Sequence, residues 1–221
     1  MTYFTKDYLD FFKELAANNH KDWFDENRKR YENVVREPFK IFIADVIAAV
    51  NEMDHEVVIE PKQAIFRINR DVRFSKDKTP YKLFNSAIIS KTGRKDKSYP
   101  GMYIELNPER LAIFGGVYMP DKEQIQKIRT HIIKHNQKLK AILAEEEFFA
   151  SFGTIEGQKY KRLPKEIQEA AKTQDLLYNK QWYYEFSLAP KTILQDNLLE
   201  VIMNYYKVSH PLQKYLIAAL Q

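Results

Sequence analysis

The sequence predicts an α+β fold, with a central antiparallel sheet and helices from the N- and C-terminal parts of the chain packed around it. Three observations predict this class. Helical spacing of apolar residues dominates residues 1–56, alternating or β-branched segments dominate residues 57–118, and residues 119–221 are mixed but mostly helical. The connections between the central segments are too short for helical crossovers, which favours antiparallel pairing. No repeat or linker divides residues 1–221, so we expect a single domain.

The N-terminal part is predicted to hold three helices. Thr5 suits the N-cap of the first helix, and residues 18–20 interrupt the helical pattern. A second helix is expected over about residues 21–35. Pro38 suits the first turn of a third helix, which should extend to about Met53.

Four strands are expected in the centre of the chain. Residues 65–74 alternate in polarity, and residues 83–90 are apolar and β-branched. Residues 101–106 face residues 111–118 across a tetrapeptide, residues 107–110, that opens with Asn-Pro. This pair is a turn signal, so the last two segments should form a hairpin.

The C-terminal part is predicted to return to helix. Pro120 and Pro164 each suit the start of a helix, because proline in the first turn sacrifices no helical hydrogen bond. Residues 182–188 alternate and are expected to form one more strand. Two helices, over residues 191–206 and 212–220, should close the chain.

Composition excludes several kinds of site. The 221 residues contain no cysteine, which rules out a disulfide scaffold, a thiol nucleophile and a cysteine-ligated zinc site. The charges of Lys6, Asp7 and Asp10 interrupt the N-terminal segment, so it does not have the pattern of a secretory signal. No apolar segment approaches bilayer-spanning length. We therefore predict a cytoplasmic protein without a membrane partner.

Positive charge is concentrated in one part of the sequence. Residues 62–97 hold eleven basic and three acidic residues, a net charge of +8. The whole chain carries +5, so the remaining residues together carry −3. Basicity confined to one segment indicates an anionic partner for that segment.

The basic segment contains a dense motif, residues 66–82 (FRINRDVRFSKDKTPYK). If the motif begins as a strand, Arg67 and Arg73 lie on its polar face while Arg70 falls in the apolar row. Two interpretations of Arg70 stay open. It is a buried anchor that pairs with a carboxylate or with carbonyl oxygens, or a β-bulge turns it to the polar face.

The cations of this motif are candidate anion contacts. A guanidinium fork matches the oxygens of a phosphate or carboxylate, and lysines add mobile charge. A glycine pair ends an apolar strand before the helix expected at Pro120. It indicates either an anion at the nearby backbone amides or an aromatic side chain packed tightly on the bare backbone. The candidate ligand contacts are Arg67, Arg70, Arg73, Lys78, Tyr81, Lys82, Gly115, Gly116 and Tyr118. The predicted function is binding of a phosphorylated ligand, with nucleic acid among the candidates, through residues 66–82.

Two other functions stay open. The first is an enzyme acting on a phosphorylated or carboxylated small molecule, in which Asp71 or Glu105 handles a proton or a metal. Glu105 has a competing interpretation as the structural partner of a motif arginine. No cofactor is predicted, although a divalent cation beside a phosphate suits a motif aspartate. No nucleophile–base pair is recognisable. The second alternative is a scaffold whose arginines are purely structural.

A metal site is not predicted. His131 and His135 stand four residues apart on an expected helix, which is a spacing used by zinc ligands. The residues between them lack the glutamate of a metalloprotease, and no third ligand lies nearby in the sequence. Both histidines are therefore expected to be surface residues.

Several segments together resemble a known family. Residues 66–82 are similar to the hallmark string of the family called Domain of Unknown Function 2461. The further segments that agree are residues 18–24 (NNHKDWF), 99–103 (YPGMY), 115–120 (GGVYMP) and 161–164 (KRLP). They follow in order along most of the chain. The resemblance implies a single domain without an established activity, so it supplies no reaction.

Overall fold

Four segments rich in β-branched and aromatic residues pair into one antiparallel sheet. The computed structural model describes residues 1–221, and its strands are β1 (Asn85–Ile89), β2 (Gly101–Leu106), β3 (Leu111–Val117) and β4 (Trp182–Leu188), in that spatial order. The Asn107 side chain accepts hydrogen bonds from the amides of Glu109 and Arg110, both at 2.8 Å, and closes the turn between β2 and β3. The predicted hairpin and the predicted α+β class are confirmed.

Helices precede the sheet, as the N-terminal periodicity predicts. They are α1 (Lys6–Ala17), α2 (Lys21–Glu26), α3 (Arg28–Arg30), a π-helical segment (Tyr31–Arg36), α4 (Glu37–Met53) and α5 (Pro61–Ala64). The break at residues 18–20 is present, but the second and third predicted helices are joined. Helical backbone continues from Arg28 to Met53. Pro38 has no N–H to donate, and the wider π-helical turns before it accommodate the missing bond.

Helices also follow β3 and close the chain. They are α6 (Lys122–Lys134), α7 (Asn136–Ala144), α8 (Glu146–Phe152), α9 (Lys165–Ala171) and α10 (Leu198–Leu220), with 3₁₀ turns at Asp175–Tyr178 and Pro190–Leu194. A further 3₁₀ turn, Gly93–Lys95, lies between β1 and β2. The prediction of two terminal helices is wrong, because α10 continues through Pro211. Burial of one continuous face, which includes Tyr206, Leu212 and Leu216, offsets the hydrogen bond that Pro211 cannot donate. None of the helices is long and apolar enough to cross a bilayer.

The two faces of the sheet have different surroundings. Side chains of a strand alternate between its faces, and the register places Ala87, Ile104 and Ile113 in one row. This row is buried in the main core, against which α4 and α10 pack. The neighbouring row contains Tyr103 and Phe114, which point to the opposite face and are only half-buried. That second face is where a ligand has access to the sheet.

Residues 66–84, which we call the basic loop, differ from the prediction. The strand expected over residues 65–74 is absent, and only single bridges join Ile65 to Ala87 and Asn69 to Tyr81. The backbone of residues 66–82 still folds back on itself, because the Lys82 amide donates to the Ile68 carbonyl at 2.9 Å. A regular ladder does not form, since Pro80 has no amide to donate.

Gly115 has no room for a side chain. A Cβ at this position would overlap the ring and hydroxyl of Tyr184, which is fully buried and accepts a hydrogen bond from Gln213 Nε2 at 3.0 Å. We expect Gly115→Ala to lower the free energy of unfolding by about 1–3 kcal/mol, measured by urea denaturation. In a Tyr184→Leu background the overlapping ring is absent, so Gly115→Ala should lower the free energy of unfolding by less. Equal costs in the two backgrounds would contradict the overlap.

Candidate functional site

A cleft of about 470 Å³ lies on the half-buried face of the sheet. Its floor is built by the register of β1, β2 and β3, which sets Tyr103 beside Ile88 and Phe114, and Glu105 beside Ser86. The walls come from outside these three strands and comprise Phe66, Lys82, Phe84, Lys97, Tyr118, Tyr183 and Glu185. A volume in this range is typical of small-molecule sites.

Aromatic rings line much of the cleft. The Tyr103 ring lies 5.9 Å from the Phe66 ring and 5.7 Å from the Phe114 ring, centre to centre. At one end Tyr118 packs edge-on against Tyr183, with 5.9 Å between the ring centres. These faces provide apolar and stacking surface for the flat part of a ligand.

Two lysines share the ring of Phe66 at one side of the cleft. The Nζ atoms of Lys82 and Lys97 lie 5.5 and 5.6 Å from the ring centre, and Lys82 also lies 5.7 Å from the ring of Phe84. Neither ammonium forms a salt bridge or a hydrogen bond within the chain. Burial lowers the pKa of Lys82, and the nearby charges of Lys97 and Arg67 lower it further. Attraction to the Glu105 carboxyl partly offsets this lowering. Two cations therefore face one cleft without a direct salt bridge.

A half-buried carboxyl group lies on the cleft floor. Glu105 accepts hydrogen bonds from the Tyr103 hydroxyl and from Asn107 Nδ2, both at 3.3 Å. Burial raises the pKa of Glu105 above its ordinary value and raises the pKa of Tyr103 to about 12. The structural interpretation from the sequence is wrong, because Glu105 pairs with no arginine of the motif. Its shifted pKa and its position suit a group that gains and loses a proton.

The arginines of the basic loop form local contacts instead of converging on the cleft. Arg70 Nη1 lies 2.6 Å from Asp77 Oδ2 and donates to the Thr79 carbonyl at 3.0 Å, with 27% of its side chain exposed. Arg73 Nη2 lies 2.7 Å from Asp71 Oδ2. Asp71, a candidate catalytic residue, is therefore already engaged in an ion pair. Arg70 is therefore an anchor, as one of the two interpretations predicted, but a partly exposed one whose partners belong to its own loop.

The remaining predicted contacts divide between the cleft and other places. Lys78 Nζ donates to the Val72 carbonyl at 2.9 Å, and Arg67 is exposed without an ion pair. The predicted residues that line the cleft are Lys82, Glu105, Gly115, Gly116 and Tyr118. The predicted residues outside its lining are Arg67, Arg70, Asp71, Arg73, Lys78 and Tyr81.

Tyr81 has a structural position that the sequence did not indicate. It is only 6% exposed and stacks on Phe24 of α2, with the ring centres 4.0 Å apart and nearly parallel. The side chain of Asn19 forms two hydrogen bonds with the backbone of Tyr81. It donates to the Tyr81 carbonyl at 2.9 Å and accepts from the Tyr81 amide at 3.1 Å. These contacts join the basic loop to the N-terminal helices and fix the position of the next residue, Lys82.

Several cleft residues were missed from the sequence. Lys97 belongs to the basic segment, but no local pattern connects it with the motif at residues 66–82. Tyr103, Phe114 and Glu185 occupy one row across β2, β3 and β4. Period-two alternation within each strand is a signal for such a row, yet strand alternation alone cannot specify which residues of different strands become neighbours.

The two histidines do not build a metal site. The rings of His131 and His135 lie 4.4 Å apart, and burial lowers the pKa of His131. His131 also packs edge-on against Tyr215, with 4.6 Å between the ring centres. No group of three or more His, Cys, Asp or Glu side chains comes together to hold a metal ion anywhere in the chain.

Comparison with known proteins places most of the chain in one family. The family model described as "Conserved hypothetical protein (DUF2461)" matches residues 7–215. The match covers the basic loop and all the residues that line the cleft. No curated protein matches the chain.

The different contacts of Arg70 and Arg73 lead to a stability prediction. We expect Arg70→Ala to lower the free energy of unfolding by about 1–2 kcal/mol, because it removes charged hydrogen bonds that join Arg70 to Asp77 and Thr79 within the loop. Arg73→Ala is the matched control and should produce no measurable change, since its pair with Asp71 is exposed. Urea denaturation of both variants is the measurement, and equal effects would contradict the anchoring role of Arg70.

Proposed function

The chain belongs to this family of conserved hypothetical proteins, and we propose that it binds a phosphorylated small molecule in the cleft through Lys82 and Lys97. One observation carries this proposal. The ammonium groups of Lys82 and Lys97 lie 5.5 and 5.6 Å from the centre of the Phe66 ring, and neither forms a salt bridge. A phosphate placed between them supplies a direct ionic partner, since Glu105 influences Lys82 only at a distance beyond a salt bridge.

The electrostatic gain is larger in this cleft than on an open surface. Two unit charges 4 Å apart attract each other by about 4 kcal/mol at an effective dielectric constant of 20, against about 1 kcal/mol in bulk water. Lys82 is half-buried and its pKa is lowered by burial and by neighbouring cations, so it gains from an anion. A phosphate has the charge and the oxygen atoms to satisfy two separate ammonium groups at once.

The cleft, rather than the arginine cluster, is the favoured site for this anion. Arg70 and Arg73 already bind aspartates of their own loop. The exposed cations Arg67 and Lys76 remain available outside the cleft, and a polynucleotide is the partner that would recruit them. The proposed ligand is a small molecule. An affinity that falls steeply with salt concentration would instead reveal polynucleotide binding.

Binding of phosphate compounds tests the proposal directly. We expect inorganic phosphate and phenyl phosphate to raise the melting temperature saturably, since a ligand that binds only the folded state stabilises it. Lys82→Ala and Lys97→Ala should each weaken binding about tenfold, a loss of about 1.4 kcal/mol. Lys76→Ala is the control, because Lys76 is exposed, unpaired and in the same basic loop. An equal loss in Lys76→Ala, or no phosphate effect on the wild type, would overturn the proposal.

A second candidate function is an enzyme acting on the same molecule. It is favoured by Glu105, whose carboxyl group has a raised pKa beside the Tyr103 hydroxyl within the cleft. A carboxyl group with a raised pKa is suited to act as a general acid or base. A divalent cation beside the phosphate and a cytoplasmic location stay predictions.

The lowered pKa of Lys82 connects binding with stability. The folded chain disfavours the charged lysine relative to the unfolded chain, so this penalty is present at neutral pH and disappears as pH rises through the pKa of Lys82. We expect Lys82→Met to raise the free energy of unfolding at pH 7 by about 0.5 kcal/mol, a small value because solvent screens the half-exposed ammonium. The gain should shrink as pH rises above 10, through the range in which lysine also loses its proton in the unfolded chain.

Urea denaturation at pH 7 and above pH 10 measures this effect, with Lys76→Met as the control that should leave stability unchanged. Lys82→Met should weaken phosphate binding at pH 7 about as much as Lys82→Ala does. A loss of stability in Lys82→Met at pH 7 would show that Lys82 stabilises the fold. It would contradict the expectation that the charged lysine destabilises it.

A further inference from the structure

The cleft has two chemically different ends, and their separation follows from the sheet. The Phe66 amide donates to the Ser86 carbonyl at 2.9 Å, so Phe66 and the two lysines around its ring lie beside β1. Glu185 lies on β4, opposite Phe114 of β3. Neighbouring strands are about 4.8 Å apart, so the three steps from β1 to β4 span about 14 Å. The cations and this carboxylate therefore lie at opposite sides of the cleft.

At the β4 end the one charged group of the lining is the carboxylate of Glu185, beside the hydroxyl-bearing rings of Tyr118 and Tyr183. Glu185 is exposed, and its carboxylate has no salt bridge and no hydrogen bond within the chain. An ionised carboxylate accepts hydrogen bonds and donates none. A ligand that reaches it must therefore present N–H or O–H groups. A second phosphate at this end would be repelled.

The middle of the cleft suits a flat ring. Tyr103 and Phe114 lie next to each other on the floor, and Phe66 approaches Tyr103 from the β1 side. Bases stack on such aromatic faces with a gain of about 1–3 kcal/mol for each base. Along the cleft the order is thus cation, aromatic surface and carboxylate.

We propose that the ligand is a nucleoside monophosphate whose base carries N–H donors, with its phosphate at Lys82 and Lys97 and its base directed to Glu185. This inference rests on the proposed function, since it uses the same lysines for the phosphate. Guanine is the base that presents a ring N–H and an exocyclic amino group on one edge, which a carboxylate accepts as a pair. The 470 Å³ cleft is within the range of volumes that small-molecule ligands of this size occupy.

The decisive comparison is between guanosine monophosphate and ribose 5-phosphate, which has the same phosphate and sugar but no base. Isothermal titration calorimetry on the full chain should show at least tenfold tighter binding of guanosine monophosphate. Equal dissociation constants would overturn the nucleotide assignment and leave the phosphate site intact. Binding of neither compound would overturn the proposed function as well.

A matched pair of glutamate variants tests the base contact. Glu185→Gln should remove most of the preference for guanosine monophosphate and leave the affinity for ribose 5-phosphate unchanged. Glu109→Gln should retain the preference, because Glu109 is an exposed glutamate in the β2–β3 turn, outside the cleft. A full preference retained by Glu185→Gln would overturn the assignment of this residue.

A single-stranded oligonucleotide distinguishes a free nucleotide from a nucleotide within a strand. If the site binds a free nucleotide, guanosine monophosphate should compete with the oligonucleotide. Lys76→Ala should then leave the affinity for both compounds unchanged. Tighter binding of the oligonucleotide that is lost in Lys76→Ala would instead identify the basic loop and cleft as one polynucleotide surface, and would overturn the assignment to a free nucleotide.

Discussion

The stacking of Tyr81 on Phe24 is the contact on which the arrangement of the cleft depends. It joins α2 to the end of the basic loop, and the two hydrogen bonds from the Asn19 side chain fix the backbone at the same point. Lys82 follows directly, so its ammonium is held beside Phe66 without needing a carboxylate partner. Two segments that are more than fifty residues apart in the sequence thereby form one structural unit.

The two faces of the sheet have different roles: one face packs into the core, and the other lines the cleft. On one face Tyr184 fills the space left by the missing side chain of Gly115, and the row of Ala87, Ile104 and Ile113 completes the core. On the other face, aromatic side chains from the same strands stay half-buried and available. Gly116 adopts a φ of 97°, a conformation that L side chains rarely adopt, and a Cβ there would meet the Trp182 carbonyl of β4.

The cations of the basic motif serve two different purposes. Arg70 and Arg73 are neutralised within the loop by Asp77 and Asp71, so their charges shape the loop. Lys82 and Lys97 have no partner within the chain. Burial and neighbouring cations lower the pKa of Lys82, so its charged form is disfavoured in the free protein. The cations of the cleft that lack a salt bridge are therefore lysines, although arginines dominate the sequence motif.

The sequence by itself determined the α+β class, the β2–β3 hairpin, strand β4 and the interruption after α1, because each depends on periodicity or turn chemistry within a few residues. Only the tertiary structure decided that residues 65–74 form a loop, that α10 continues through Pro211, and that Lys82, Lys97 and Glu105 meet in one cleft. These outcomes depend on strand register, on aromatic stacking across the chain and on which helix face becomes buried. Such contacts join residues far apart in the sequence, and local patterns do not encode their partners.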